Sequence, residues 1–369
     1  MGFLNKVINT HSNRKTKLEK IAESKLPVVI YGAGLSGSNI HNYLQQKNIQ
    51  VVGFAVDKGY GENSVMSGLP VETIEKYDSE YEGYCVIIAI QNQERAIRNL
   101  QIRNSSKIKS VYTLCDMSSF LGLVYDYDYV RSHEKDFENV YYYLSDDLSK
   151  HTMIHYVNSI ITNTFDFNEA MSLYQPDQYF PKGVVPPLSN NEVFVDCGAY
   201  DGDTLVSFME RIPDRLCKRY YAIEPDTGNC TGIQNTIISN QFKNVEVVNK
   251  GVWDKSETLK FTGGATNNSC ISSTGTFSVV VDSIDNLIFP RDNVTFIKMD
   301  VQGVELRALK GAEQIIKRDK PNLAICVYHK PEDLFEIPLY IKNIVPEYKL
   351  YMRHHEWSLI ETVLYAILQ

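Results

Sequence analysis

The 369-residue chain has no apolar run approaching the roughly 18 residues of a membrane span, so no transmembrane segment is expected. Its opening, MGFLNKVINTHSNRK, lacks an apolar core of signal-peptide length, and Lys6 stands where a myristoylation signal wants Ser or Thr. Basic charge is scarce too. Lys and Arg number 37 against 45 Asp and Glu, a net charge of −8, whereas a phosphate backbone demands a basic footprint. No nucleic-acid partner is therefore expected. The seven cysteines include no C-x-x-C pair and no metal-ligand spacing, so no metal is expected. Scattered among apolar neighbours, they read as buried thiols in a reducing compartment, which points to a cytoplasmic protein. Repeats and low-complexity tracts are missing as well.

What remains is an ordinary globular composition, 43% hydrophobic and 22% charged. At roughly 100–200 residues per domain, the length implies two domains. The pattern places a Rossmann-like domain of nucleotide-binding type at residues 20–118. A helical and extended connecting region follows at 119–190, and a second α/β domain at 191–369.

The chain is organised around Glu192–Thr204, EVFVDCGAYDGDT. Val193, Phe194 and Val195 read as a buried strand, Asp196 as an acid at its end, and the rest as a glycine turn and a helix start capped by Asp203 or Thr204. Gly198 and Gly202 let the backbone turn tightly and come close to a ligand, which a Cβ would prevent. In doubly wound α/β folds such a strand–loop–helix binds nucleotide-like cofactors at the carboxyl ends of the strands. A second apolar stretch, Tyr220–Ile223, ends in Glu224, placed to accept hydrogen bonds from ribose hydroxyls. Together these predict an S-adenosylmethionine site. Asn249, Gly251 and Val252, at the end of a third strand over 244–249, are candidate neighbours of an adenine ring.

Further on, Phe296–Met299 is a predicted strand ending at Asp300, with Glu305 close behind and a helix over 306–317. Leu323–Tyr328 ends at His329, and a histidine at that rim suits general base catalysis near neutral pH. Asp300 or His329 is the expected base, with Glu305 orienting the acceptor. Glu305 also falls in a first helical turn, where the dipole favours a negative charge for structural reasons alone. The loop Gly263–Cys270 is a candidate ligand cover, although most such loops are plain connections. Tyr348–Met352 and Thr362–Ile367 predict a closing antiparallel pair.

In the first domain, Leu26–Tyr31 is a predicted strand running into Gly32-Ala33-Gly34-Leu35-Ser36-Gly37, a full G-x-G-x-x-G. Helical spacing follows at Ile40, Tyr43 and Leu44, and a second strand, Val51–Val56, ends in Asp57. Two readings stay open. Gly32, Gly34 and Gly37 cradle a phosphate while Asp57 holds a ribose, giving a second site for a nucleotide or nucleotide sugar. Alternatively the turn is kept without a ligand, as a docking module. The connecting region carries Tyr125, Tyr127, Tyr129 and Tyr141–Tyr143, with Ser145 as an expected helix cap. Its tyrosines read first as packing and second as lining for a sugar-like acceptor.

VDCGAYDGDT, AIEPD, GVWDK, VDSID, FIKMDVQGVELRALKGA, LAICVYH and ETVLYAI occur in that order within residues 140–369. Together they resemble the FkbM family of S-adenosylmethionine-dependent methyltransferases. The first domain loosely resembles small Rossmann-like domains attached to sugar-modifying enzymes of bacterial surface polysaccharide pathways. The resemblance implies two Rossmann-like α/β domains, the second a class I methyltransferase sheet of seven strands, ordered 3-2-1-4-5-7-6 with strand 7 antiparallel. It also implies methyl transfer to a hydroxyl of a sugar, polysaccharide precursor or secondary metabolite, so the partner is a small-molecule or glycan acceptor. By position, Asp196, Gly198 and Gly202 fall on the first cofactor loop, with Ala199, Tyr200, Asp201 and Thr204 beside them. Glu224 and Pro225 fall on the ribose acid, and Asp300 and Glu305 on the acidic strand-four motif. Tyr200 stands where many methyltransferases outside the family have a second loop glycine. Gln302 stands where the family more often has Glu, which moves that acid's role to Asp300, Glu305 or His329. Two rivals are an NAD-dependent or nucleotide-sugar-modifying enzyme run by the first domain, and a non-catalytic scaffold for polysaccharide assembly. Fold alone does not decide among them.

Overall fold

The computed structural model describes residues 2–8, 17–90, 93–113, 126–162, 167–262, 270–271, 277–356 and 360–368. Tyr125 and most of the expected cover loop, residues 263–269, lie outside them. Contacts divide the chain into two units, one of residues 1–134, 153–174 and 356–360, the other of 135–152, 175–355 and 361–369.

The first unit is built on six strands: β1 (Val28–Tyr31), β2 (Val51–Ala55), β3 (Ser64–Met66), β4 (Leu69–Glu72), β5 (Tyr84–Ile88) and β6 (Ile108–Tyr112). They lie in the order β3-β4-β2-β1-β5-β6. All pairs are parallel except the β3–β4 hairpin. β1 is buried throughout because both faces of the sheet are covered: Val28 and Ile30 pack into one apolar cluster, Val29 and Tyr31 into another. The sequence reading missed the hairpin. Its strands are three and four residues long, and its turn rests on positive φ at Ser67 and Gly68.

The glycine turn after β1 is there for packing at two of its three glycines. A Cβ on Gly32, whose φ is +127°, would lie 2.9 Å from the Ala89 carbonyl oxygen, and one on Gly37 would lie 2.1 Å from that of Gly32. Around Gly34 nothing stands within 4 Å. Gly37→Ala is therefore expected to cost about 1–3 kcal/mol by overpacking, and Gly34→Ala less, measured by urea unfolding.

The second unit holds β7 (Val193–Cys197), β8 (Arg219–Ile223), β9 (Val245–Val248), β10 (Gly251–Trp253), β11 (Glu257–Thr262), β12 (Cys270–Ile271), β13 (Phe277–Ser283), β14 (Phe296–Met299), β15 (Asn322–Cys326), β16 (Lys349–His354) and β17 (Thr362–Ile367). Seven of them form one sheet, β16-β17-β15-β14-β7-β8-β9. Counted along the chain within that sheet and read from the β9 side, the order is 3-2-1-4-5-7-6. The last strand, β17, runs antiparallel to both its neighbours. This is the arrangement the resemblance implied. β10–β13 form a separate four-stranded sheet, ordered β10-β13-β11-β12, which the sequence reading did not foresee.

Three local expectations change. The helix after the first loop (Asp203–Met209) is capped by Gly202 at φ +90°, with no side-chain capping bond. The helix Asp147–Thr162 is capped by Asp146, whose Oδ1 accepts from the Ser149 amide at 2.8 Å, and not by Ser145. The helix expected over 306–317 is two short ones, Glu305–Lys310 and Glu313–Asp319. A Cβ on the intervening Gly311 would lie 1.9 Å from the Trp253 carbonyl oxygen.

The core of the large sheet is an aromatic row. Tyr220, Phe194 and Phe296 are register partners on β8, β7 and β14. Their rings stack across the strands, with centroids 5.0 and 4.8 Å apart. Phe208 packs on Phe194 at 4.7 Å.

Candidate active site

Two residues beyond the aromatic row, side chains return to the same face of the sheet. Asp196 and Lys298 are register partners there. Lys298 Nζ lies 3.0 Å from Asp196 Oδ1 and donates to the Gly198 carbonyl at 2.7 Å. The Tyr220 hydroxyl donates to Asp196 Oδ2 at 2.6 Å. Asp196 is fully buried. Its carboxylate is therefore committed to the core, a correction to the expectation that it faces a cofactor. What it contributes is a fixed loop: through Lys298 it anchors Gly198, where the chain leaves β7.

Gly198 is required at that point. Its φ is +76°, and a Cβ would lie 2.0 Å from the Asp300 carbonyl oxygen, so the loops after β7 and β14 cross at backbone contact. Tyr200 adopts φ +47° and is exposed, as is Asp201, while Ala199 and Thr204 are buried. The Tyr200 amide donates to Glu224 Oε2 at 3.0 Å, and the Asp226 amide to Oε1 at 3.0 Å. Glu224 is thus held at the end of β8, its pKa raised by burial against the pull of those amides. Asn249 Nδ2 donates to the carbonyls of Glu224 and Pro225 at 3.0 and 2.9 Å, tying the ends of β8 and β9 together. Gly251 begins β10 with the Val281 side chain 3.0 Å from where its Cβ would be, and Val252 is buried beside it.

Around the ends of β14 and β15 the structure gathers Asp300, Glu305 and His329. His329 Nδ1 lies 2.9 Å from Glu305 Oε1 and its Nε2 3.4 Å from Asp300 Oδ1. Glu305 also accepts from the Val301 amide at 2.9 Å. Burial pushes the Glu305 carboxyl up, but His329 and the amide more than offset it and hold the pKa below the usual value. Burial pushes His329 down, yet the two carboxylates lift it to about 9. At neutral pH it is an imidazolium, and a protonated ring has no lone pair to take a proton. This environment favours a positioning role for His329 over that of a base. Nearby, burial and Glu305 raise Asp333 to about 8.

The other half of the cluster comes from Gln178 and Tyr179 of the connecting region, whose aromatic and amide groups have pocket lining as their second reading, and from Tyr328 and Glu361, to which sequence reasoning gave no role. The Tyr179 hydroxyl donates to Asp300 Oδ2 at 3.1 Å, and the Tyr328 hydroxyl donates to Glu361 Oε1 at 3.3 Å and faces Asp300 Oδ1 at 3.5 Å. Gln178 donates to Glu361 Oε2. Gln302 is exposed at φ +58° in the turn after β14. Donor atoms of Asp300, Glu305 and His329 lie within 4.8 Å of one another, as do those of Asp300, Cys326 and Glu361. A metal ion would have to displace the His329 proton in the first set and ionise a thiol that burial holds far toward its neutral form in the second. A cleft of about 500 Å³ is lined by Phe180, Val184, Arg211 and Ile367, and none of the clustered acids lines it.

In the first unit, Asp57 is already engaged. It accepts from the Tyr31 hydroxyl at 2.5 Å and pairs with Arg95 at 3.3 Å and Arg103 at 3.7 Å. The acid expected on a ribose is thus tied to its own unit.

A sheet of this order, with acids gathered at the carboxyl ends of its first, second and fourth strands, defines a class I methyltransferase fold. Residues 196–355 match the family described as the methyltransferase FkbM domain. It is similar to the solved structure of methyltransferase FkbM from Methylobacillus flagellatus KT, at 25% identity and TM-score 0.76, over 95% of this chain and 92% of that one. Fibrillarin from Aeropyrum pernix, solved with natively bound S-adenosyl-L-methionine, aligns at 12% identity and TM-score 0.33, over 50% of this chain and 71% of that one. No curated protein matches the chain. Among the described residues, no helix is long and apolar enough to cross a membrane.

Proposed function

We propose that the second unit binds S-adenosylmethionine and methylates a hydroxyl of a neutral, sugar-like acceptor. The family match over 196–355 carries the methyl-transfer part of this reading. The residues at the edge fit the donor. Glu224 Oε2 accepts one backbone bond and keeps a lone pair for a ribose hydroxyl, while Oε1 accepts from the Asp226 amide and from Asn229 Nδ2. The acids around Asp300 suit a neighbouring cation. Bound there, the donor supplies an electrophilic methyl group.

The chain's own work is to hold an acceptor oxygen in line and remove its proton. Asp300, 18% exposed in its side chain, presents a carboxylate at the rim while Tyr179, Tyr328 and His329 fix its orientation. Carboxylate, amide and phenol groups together offer the donors and acceptors that hydroxyl-rich molecules pair with. The same acids repel phosphorylated or carboxylated acceptors. Transfer of labelled methyl from S-adenosylmethionine to a panel of methyl hexopyranosides tests this. Product with neutral glycosides and none with their phosphates is expected. Reaction only with amines or with acidic acceptors would contradict it.

A further inference from the structure

Glu361 reaches the edge cluster by a route unlike that of the other acids. β17 is antiparallel to β15, so its first residues, not its last, reach the edge where β14 and β15 end. Glu361 immediately precedes that strand. Its φ is +63°, a left-handed conformation that non-glycine residues keep only where the surroundings impose it. Gln178 holds one of its oxygens and Tyr328 the other. Tyr328 also spans to Asp300, so one phenol lies between the two carboxylates. An oxygen from each acid and the Cys326 thiol lie within 4.8 Å of one another. His329, by contrast, has a carboxylate against each ring nitrogen.

Resting on the methyl-transfer reading above, we infer that Glu361 takes the acceptor's proton, while Asp300 aligns the acceptor hydroxyl and His329 positions Asp300. The acceptor O–H bond breaks and its proton goes to Glu361. The new O–C bond forms as the donor S–C bond breaks, and that bond's electron pair stays on sulfur as a neutral thioether. A sulfonium and a carboxylate thus become a thioether and a carboxylic acid, and charge balances.

The groups facing Glu361 are Asp300 after β14, Cys326 at the end of β15, Tyr328 and His329 just beyond it, and Gln178 and Tyr179 from the extended segment before β7. Burial first, and then repulsion by Asp300, raise the Glu361 carboxyl to about 7. A base must be ionised to act, so transfer falls as pH drops through that value.

The test is calorimetric titration of the full chain with S-adenosylmethionine and with S-adenosylhomocysteine near neutral pH, in buffers of different ionisation enthalpy. A sulfonium beside the pair favours its ionised form, so the first ligand releases a fraction of a proton that the second does not. Glu361→Gln abolishes that difference, leaves S-adenosylhomocysteine affinity unchanged, and cuts transfer to methyl hexopyranosides at least about 100-fold. Glu361→Asp keeps the proton release and a measurable rate. The inference is overturned if wild-type protein shows no differential release, or if Glu361→Gln keeps it or transfers at the wild-type rate. Failure of wild-type protein to bind either ligand sinks the methyl-transfer reading instead.

Discussion

Replacing Lys298 with methionine is expected to destabilise the second unit by about 3–5 kcal/mol, the usual cost of removing one partner from a buried ion pair. Both side chains are almost wholly buried, at 4% and 0% exposure. Without Lys298, Asp196 keeps one hydrogen bond, from Tyr220, and its charge loses its counterion inside the core. The Gly198 carbonyl loses its ammonium donor at the same time. The comparison is Arg307, whose pair with Asp254 is shorter, at 2.6 Å against 3.0 Å, but 56% exposed on the arginine side. Its loss is expected to cost about 0–1 kcal/mol, because solvent already screens it. Urea unfolding of both variants decides the point. Adding Asp196→Asn to Lys298→Met should recover part of the loss, since no unpaired charge then remains. Equal, small losses for Lys298 and Arg307 would mean that the buried pair is already solvated.

Asp300→Asn is expected to lower methyl transfer by at least about 100-fold. The amide no longer accepts from Tyr179 and the acceptor hydroxyl with the strength of an ionised carboxylate. It also removes the negative charge that helps hold the Glu361 carboxyl near 7. The acid limb of the residual activity should therefore move to lower pH. A structural defect at Asp300 would lower the rate without moving that limb. Near-normal turnover in the variant would take Asp300 out of the mechanism.

Four strands of the large sheet were legible because each is a short apolar run closed by a glycine, an acid or a histidine. VFVDCG, YYAIE, FIKMD and AICVYH each announce a strand end, and strand ends are where this fold puts its chemistry. The β3–β4 hairpin was not legible, since strands this short carry too little period-two pattern. Asp196 was misread for a different reason. An acid at a strand end looks the same in sequence whether it faces a ligand or a lysine one strand away, and only the register of β7 on β14 shows Lys298 beside it. Glu361 was passed over because it precedes a strand. The antiparallel direction that the sequence implies for Thr362–Ile367 is the signal that locates it. Asp57 had two readings in the sequence, and spacing alone could not show that Arg95 and Arg103 pair with its carboxylate.

The most direct test of the central claim is calorimetric titration of the whole chain with S-adenosylhomocysteine and with NAD, repeated on Glu224→Ala and Gly34→Ala. S-adenosylhomocysteine should bind the wild-type and Gly34→Ala proteins alike and lose about 1–3 kcal/mol in Glu224→Ala, a hydrogen-bond partner removed from the ribose. Binding of NAD alone, lost in the Gly34 variant and indifferent to Glu224, would contradict the account and move the chemistry to the first unit.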